Sequence, residues 1–109
     1  MDLIPSLIMF IINLTYIVPL EELDKHMAAH VRYLKKYYRK NVFVASGRKV
    51  PREGGIILAL AESEDEVNKI ISEDPFYKLK LAEFEITHFL TSQYHPDLKT
   101  LLKGKQASG

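Results

Sequence analysis

Residues 56–60 have the sequence Ile-Ile-Leu-Ala-Leu, an unbroken apolar run. A strand with one face in water alternates apolar and polar side chains, whereas a strand covered on both faces does not. The run therefore predicts a central strand over residues 56–61. Residues 10–12, Phe-Ile-Ile, have the same character and predict a second central strand over residues 9–18.

The other elements follow from hydrophobic spacing and give the order β-α-β-β-α-β. Helices are predicted over residues 19–40 and 64–72, and further strands over residues 42–50 and 81–90. Right-handed crossovers in the two β-α-β units give a ferredoxin-like α+β fold with an antiparallel sheet in the order 4-1-3-2. Residues 81–90 support this order, because apolar and acidic side chains alternate there, as in an edge strand.

The first predicted helix has an apolar stripe at helical spacing. Its members are Leu20, Leu23, Met27, Val31, Leu34 and Tyr38. At about 100° per residue, His30 lies roughly 55° from the centre of this stripe and borders the predicted core. A histidine there either points into a cleft between helix and sheet or keeps its tip in water as an ordinary border residue.

Composition excludes several classes of function. The 109 residues carry a net charge of +1, which gives no general attraction to nucleic acid or to an anionic membrane. The absence of cysteine excludes a disulfide framework and a Cys-based metal site, and fits a cytoplasmic protein. The apolar residues 1–18 lack the basic start of a signal peptide and are too short for a spanning helix.

The chain is predicted to hold one domain, over residues 9–94. Residues 1–8 are interpreted as an N-terminal extension and residues 95–109 as a C-terminal tail, with a turn of helix at residues 96–102.

Two helices cover only one face of the predicted sheet, while its central strands are apolar on both faces. Leaving that apolar area in water costs about 25 cal/mol per Å². We therefore expect a homodimer that packs sheet to sheet through an isologous interface.

Few residues of the chain are candidates for catalysis or metal binding. His26 and His30 have the i, i+4 spacing of a helical metal pair, but no third ligand is suggested nearby, so no metal site is predicted. Asp74 precedes Pro75, a position where aspartate commonly caps a turn.

The hairpin after the second strand is basic. Ser46 is followed by Gly47, and the segment then carries Arg48, Lys49 and Arg52. These cations either hold an anionic group of a substrate or form a solvated loop. Ser46 lacks the G-x-S-x-G setting of a hydrolase nucleophile.

Six short pieces occur in order along the chain. They are Met9-Phe10-Ile11-Ile12, Ala29-His30-Val31-Arg32-Tyr33-Leu34, Ser46-Gly47, Gly54-Gly55-Ile56-Ile57, Asp74-Pro75-Phe76-Tyr77 and Ile86-Thr87-His88-Phe89. With this order and spacing, the chain resembles the YciI-like (YCII-related) family from residue 9 to about residue 94. One departure is Arg48, because the family often has proline after the Ser-Gly pair.

The resemblance implies a dimeric α+β barrel and an enzyme with a histidine and an aspartate in its pocket. Those positions fall on His30 and Asp74, and some relatives resemble muconolactone isomerases or take part in dehydrochlorination. On this basis His30 takes and returns a proton, Asp74 fixes its tautomer, and Ser46 donates to a developing oxyanion. Arg52 is expected to bind substrate, and the chemistry requires no cofactor.

Other functions remain open. The same pocket in a ligand-binding module would lack the paired acid, and an accessory dimerisation module would have no pocket. A cofactor-free oxygenase is a variant of the enzyme hypothesis.

Overall fold

The computed structural model describes residues 8–98 and residue 100 of the chain. Its elements are, in chain order, β1 (Ile8–Tyr16), α1 (Leu20–Asp24), α2 (Met27–Arg39), β2 (Phe43–Arg48), β3 (Gly54–Leu60), α3 (Glu64–Ile71), α4 (Pro75–Lys78) and β4 (Ala82–Leu90). The strands form one antiparallel sheet in the order β2-β3-β1-β4. This is the predicted order 4-1-3-2 counted from the opposite edge, so the ferredoxin-like α+β fold is confirmed.

The helix predicted over residues 19–40 is in fact two helices. His26 leaves helical geometry, with φ −112° and ψ 5°, and its N–H bonds to the carbonyl of Leu23 at 3.0 Å. This i→i−3 bond closes a tighter turn than an α-helix allows, so α1 ends and α2 starts again at Met27.

The buried face of α2 also differs from the predicted stripe. Its buried residues are His30, Tyr33 and Tyr37, whereas Val31 and Tyr38 are exposed. The two buried tyrosines pack edge-on or tilted against the ring of Phe43 from β2, with centroids 5.8 and 5.3 Å away. Tyrosine is therefore a core residue here, and His30 lies within the buried face rather than at its border.

One face of the sheet forms the core with the helices. Phe10, Ile12 and Leu14 of β1 alternate onto this face and are almost completely buried. Ile57 and Ala59, which pair with Ile12 and Phe10, lie on the same face of β3. The central position of both strands therefore follows from the apolar runs in their sequences.

The opposite face, called here the open face, is apolar along β3 and the first half of β1, and polar along most of β4, where Glu83, Glu85 and Thr87 lie. Strand register places on it Met9, Ile11, Ile56, Leu58, Leu60 and Phe89. Met9 and Leu60 are buried against Val44 and against Tyr94 and Leu98, which follow β4. Part of the predicted tail thus packs on one end of the open face, and the rest of that face stays partly exposed. The turn of helix expected at residues 96–102 lies partly outside the described residues.

The apolar start of the chain contributes a strand, β1, as its β-branched residues predicted. In the described part of the chain, none of the helices has the length together with the apolar character needed to cross a bilayer.

Candidate functional site

A cavity of about 410 Å³ lies between α2 and the helix-facing side of the sheet, next to the β2–β3 hairpin. It is lined by Leu14, Tyr16, Met27, His30, Val31, Leu34, Ser46, Gly47, Arg48, Arg52, Gly55, Ile56, Ile57 and Phe76. Small-molecule sites typically enclose about 300–1,000 Å³. The cavity is therefore large enough for a small organic molecule.

Three members of the predicted apolar stripe, Met27, Val31 and Leu34, line this cavity, and Met27 and Leu34 also pack against the core. A sequence pattern cannot distinguish the two, because an apolar cavity wall and an apolar core have the same periodicity. One part of the stripe, Met27, Val31 and Leu34, thus forms a wall of the cavity, while Leu23 lies in the core.

His30 and Asp74 are brought together beside this wall. The imidazole Nδ1 and the carboxylate Oδ1 lie 2.8 Å apart, although the residues are 44 positions apart in sequence. The imidazole is also stacked on the Phe76 ring, with centroids 4.0 Å apart and ring planes inclined by 3°. A hydrogen bond and a stacking contact together fix the orientation of the imidazole.

Asp74 caps α4 and binds His30 with the same oxygen. Its backbone is extended before Pro75, with φ −70° and ψ 126°, and its Oδ1 accepts from the Phe76 N–H at 2.9 Å. The side chain is fully buried, and within the described residues Oδ2 has no hydrogen-bond partner. The expected turn cap and the expected histidine partner are therefore both present in one residue.

When Asp74 is ionised, this geometry fixes the hydrogen position on a neutral His30. A backbone N–H can only donate, so Asp74 Oδ1 is an acceptor, and an ionised carboxylate has no proton to give. Nδ1 of His30 is therefore the donor, and the lone pair of the neutral ring lies on Nε2. His30 lines the cavity and the described lining does not include Asp74, so the carboxylate supports the imidazole from behind.

Tyr33 and Glu73 hold α2 in place around His30. The Tyr33 hydroxyl donates to the carbonyl of Ile70 at 2.8 Å, and burial, with the nearby Asp74 charge, raises the pKa of this phenol well above its usual range. Tyr33 therefore stays protonated and is a structural donor. Lys36 forms an ion pair of 2.7 Å with Glu73 and lowers the pKa of that carboxyl. Neither residue had a function predicted from the sequence, although Tyr33 lies within the motif that contains His30 and Glu73 directly precedes the one that contains Asp74.

Ser46 and Arg52 line the same cavity as His30. The Ser46 Oγ lies 2.7 Å from the Tyr38 hydroxyl. Arg52 donates to Asp24 at 2.5 Å, and this bond lowers the pKa of the Asp24 carboxyl. Of the four residues predicted for the site, His30, Ser46 and Arg52 thus line one cavity. Asp74 lies behind His30 and contacts its ring.

The remaining candidates are arranged differently. Arg48 lines the cavity, whereas Lys49 donates to the Thr15 hydroxyl at 3.5 Å and is outside the described lining. His26 also lies outside that lining, and no group of three potential metal ligands is found among residues 8–98 and 100.

Comparison with known proteins identifies the family of this chain. A family model described as the YCII-related domain matches residues 9–90. The chain therefore belongs to the YCII-related domain family, as the six sequence pieces suggested. Among curated proteins, none matches the chain.

Two solved structures are similar to this chain. The 5-chloro-2-hydroxyhydroquinone dehydrochlorinase TftG from Burkholderia phenoliruptrix AC1100, in complex with 2,5-dihydroxybenzoquinone, has 24% identity and a TM-score of 0.60, covering 82% of this chain and 96% of its own. SnoaB, a cofactor-independent oxygenase from Streptomyces nogalater, has 15% identity and a TM-score of 0.48, covering 84% and 98%. At 24% identity, the first similarity establishes the α+β fold.

Proposed function

We propose that this protein is a small acid–base enzyme, an isomerase or lyase, in which His30 is the general base. The reaction is removal and return of a proton next to a carbonyl, or elimination at that position. The observation that carries the proposal is the 2.8 Å contact between His30 Nδ1 and the buried Asp74 at the wall of a cavity. A base needs a free lone pair and a fixed orientation, and this contact provides both.

The cavity also provides groups for binding. Its apolar wall on α2 suits a small ring, and we assign Ser46 as the donor to an oxygen that gains negative charge during the reaction. Arg52, held by Asp24, is assigned to substrate binding at the hairpin side. Such chemistry proceeds on side chains alone and needs no cofactor.

A ligand-binding module without turnover is the alternative function. The cavity argues against a module that serves only dimerisation. The buried acid behind His30 favours catalysis over binding alone, because a wall histidine that only contacts a ligand needs no carboxylate to fix its tautomer.

The proposal predicts that His30→Ala loses catalysis while His26→Ala does not. Small ring ketones, quinones and hydroxylated aromatic compounds are first screened for thermal stabilisation of the wild type. 5-Chloro-2-hydroxyhydroquinone is included because TftG shares the fold. Exchange of carbon-bound hydrogen for deuterium is then followed by NMR for each ligand, and chloride release for the chlorinated one. We expect His30→Ala to be slower by about 100- to 10,000-fold, the usual contribution of a general base.

His26→Ala is the matched control. It removes a histidine one helical turn from His30 that is not among the described residues lining the cavity. Equal rates in the two variants would remove His30 from the reaction. A ligand that stabilises wild type and His30→Ala equally would remove it from the site as well.

We further propose that the open face is covered by a second copy of the chain. Ile11, Ile56 and Leu58 remain partly exposed there, next to the end that Tyr94 and Leu98 cover. Burying this apolar area against an identical face is favourable, and a twofold interface needs one self-complementary surface.

Light scattering at micromolar concentration should therefore give the mass of a dimer. Leu58→Glu is expected to shift the protein to monomer, because it places a charge in the apolar interface. Leu79→Glu, on an exposed residue beside α4, should leave the dimer intact. A wild-type monomer, or equal behaviour of the two variants, would contradict this interface.

A further inference from the structure

The cavity lining carries positively charged side chains and no acidic ones among the described residues. Two arginines, Arg48 and Arg52, contribute to its lining, and that described lining contains neither aspartate nor glutamate. Apolar side chains form most of the remaining wall. A positive charge beside an apolar surface attracts an anion more strongly than the same charge in open water, because the local dielectric is lower.

The two arginines differ in what they already bind. Arg52 donates to Asp24 and is largely neutralised by it. Arg48 is exposed and forms no ion pair within the described part of the chain. Its charge is therefore available to a ligand, while that of Arg52 is already compensated.

Arg48 is also placed to reach the same ligand as Ser46. Both residues are on β2, two positions apart, and therefore on the same side of the strand. In the sheet register Arg48 pairs with Gly55, and Gly55 pairs with Leu14 on the core-facing side. The glycine leaves space beside the arginine, where a larger side chain would stand between it and the cavity.

We infer that the ligand of this cavity carries a carboxylate, and that Arg48 is the residue that binds it. The inference rests on the proposed function and specifies its substrate class: a small ring compound with one anionic group. The planar guanidinium offers two parallel N–H donors that match the two oxygens of a carboxylate. Arg48 is thus a specificity-determining residue, distinct from the catalytic His30.

Matched pairs of a carboxylate and its carboxamide test this inference. The probes are benzoate and benzamide, 2-hydroxybenzoate and 2-hydroxybenzamide, and 2,5-dihydroxybenzoate and 2,5-dihydroxybenzamide, with dissociation constants from ligand-observed NMR. Wild type is expected to bind the carboxylates at least about tenfold more tightly, the size of one charged hydrogen bond. Arg48→Met should reduce this preference to less than about threefold, with its melting temperature close to that of wild type.

Arg32→Met is the matched control, because it removes the same charge from an exposed position on α2 outside the described lining. It should keep the full carboxylate preference. The inference is overturned if Arg48→Met also keeps it, if wild type shows no preference, or if wild type binds none of the six probes. A change of oligomeric state in Arg48→Met with an unchanged preference also overturns it, since Arg48 would then be an interface residue.

The two proposals can fail separately. Loss of carboxylate preference in Arg48→Met without any His30-dependent exchange supports the anion site and contradicts the enzyme. His30-dependent exchange with an unchanged preference in Arg48→Met supports the enzyme and contradicts the anion site.

Discussion

A Gly54→Ala variant is expected to lose more than about 3 kcal/mol of stability or to fail to fold, because the added methyl group has no space. Gly54 is buried at the start of β3 and pairs with Thr15 of β1. A Cβ at this position would overlap the carbonyl oxygen of Leu14 and lie 2.8 Å from its carbonyl carbon. Both atoms belong to the backbone of a central strand, so relief requires separating β1 from β3.

Gly47→Ala is the matched control for this variant. Gly47 is also in a strand, β2, but among the described residues nothing lies within 4 Å of the position its Cβ would take. The change should alter stability by less than about 1 kcal/mol. Urea unfolding followed by circular dichroism measures both variants. If Gly54→Ala unfolds at the same urea concentration as Gly47→Ala, the proposed close approach of the two strands is wrong.

The sheet was predictable because the position of a strand in a sheet determines whether apolar and polar residues alternate along it. Residues 56–60 are apolar without alternation, and β3 has a neighbouring strand on each side, with Ile57, Ala59 and Leu60 buried. The residues of β4 alternate, and β4 lies at the edge. Once these two strands are placed, the handedness of crossover connections leaves few other arrangements.

The helical side was less predictable, for two physical reasons. The break at His26 has no proline or glycine to mark it, and is seen only in the backbone angles of His26 and in its bond to Leu23. The buried face of α2 depends on Tyr33, whose hydroxyl can be buried only because the carbonyl of Ile70 accepts its hydrogen bond. That partner is 37 residues away and belongs to another helix.

The site was predictable only in part. The sequence pattern gave Asp74 as a turn cap and His30 as a helix residue near the core, and the family resemblance singled out both. Their contact depends on the tertiary fold, which packs α2 next to α4. The cavity could not be predicted at all, because its apolar wall on α2 follows the same spacing as a core stripe.

Asp74→Ala is expected to destabilise the protein by about 3 kcal/mol, because one oxygen satisfies two buried donors. These donors are the Phe76 N–H at 2.9 Å and the His30 ring N–H at 2.8 Å. Alanine leaves both unpaired and removes the cap of α4. The exposed pair of His95 and Asp97, 3.7 Å apart, supplies the control: Asp97→Ala should leave stability unchanged.

Asp74→Asn separates the structural function of this residue from its effect on the imidazole. The asparagine oxygen can still accept from Phe76, so the cap is kept and the loss of stability should be about 1 kcal/mol. The same oxygen also accepts from His30 Nδ1, so the ring tautomer is kept as well, and the amide nitrogen takes the place of Oδ2. What the substitution removes is the negative charge that stabilises the imidazolium formed when His30 takes a proton.

Nitrogen-15 NMR of the His30 ring and the exchange rate together test this assignment. Wild type and Asp74→Asn should both carry the ring hydrogen on Nδ1, while exchange in Asp74→Asn is slower by at least about tenfold because the imidazolium lacks its counter-charge. An Asp74→Asn protein with full activity would show that the charge of Asp74 does not assist the reaction, and a ring hydrogen on Nε2 would show that Asp74 Oδ1 does not hold the imidazole. An Asp74→Ala protein as stable as Asp97→Ala would show that the buried contact does not stabilise the fold.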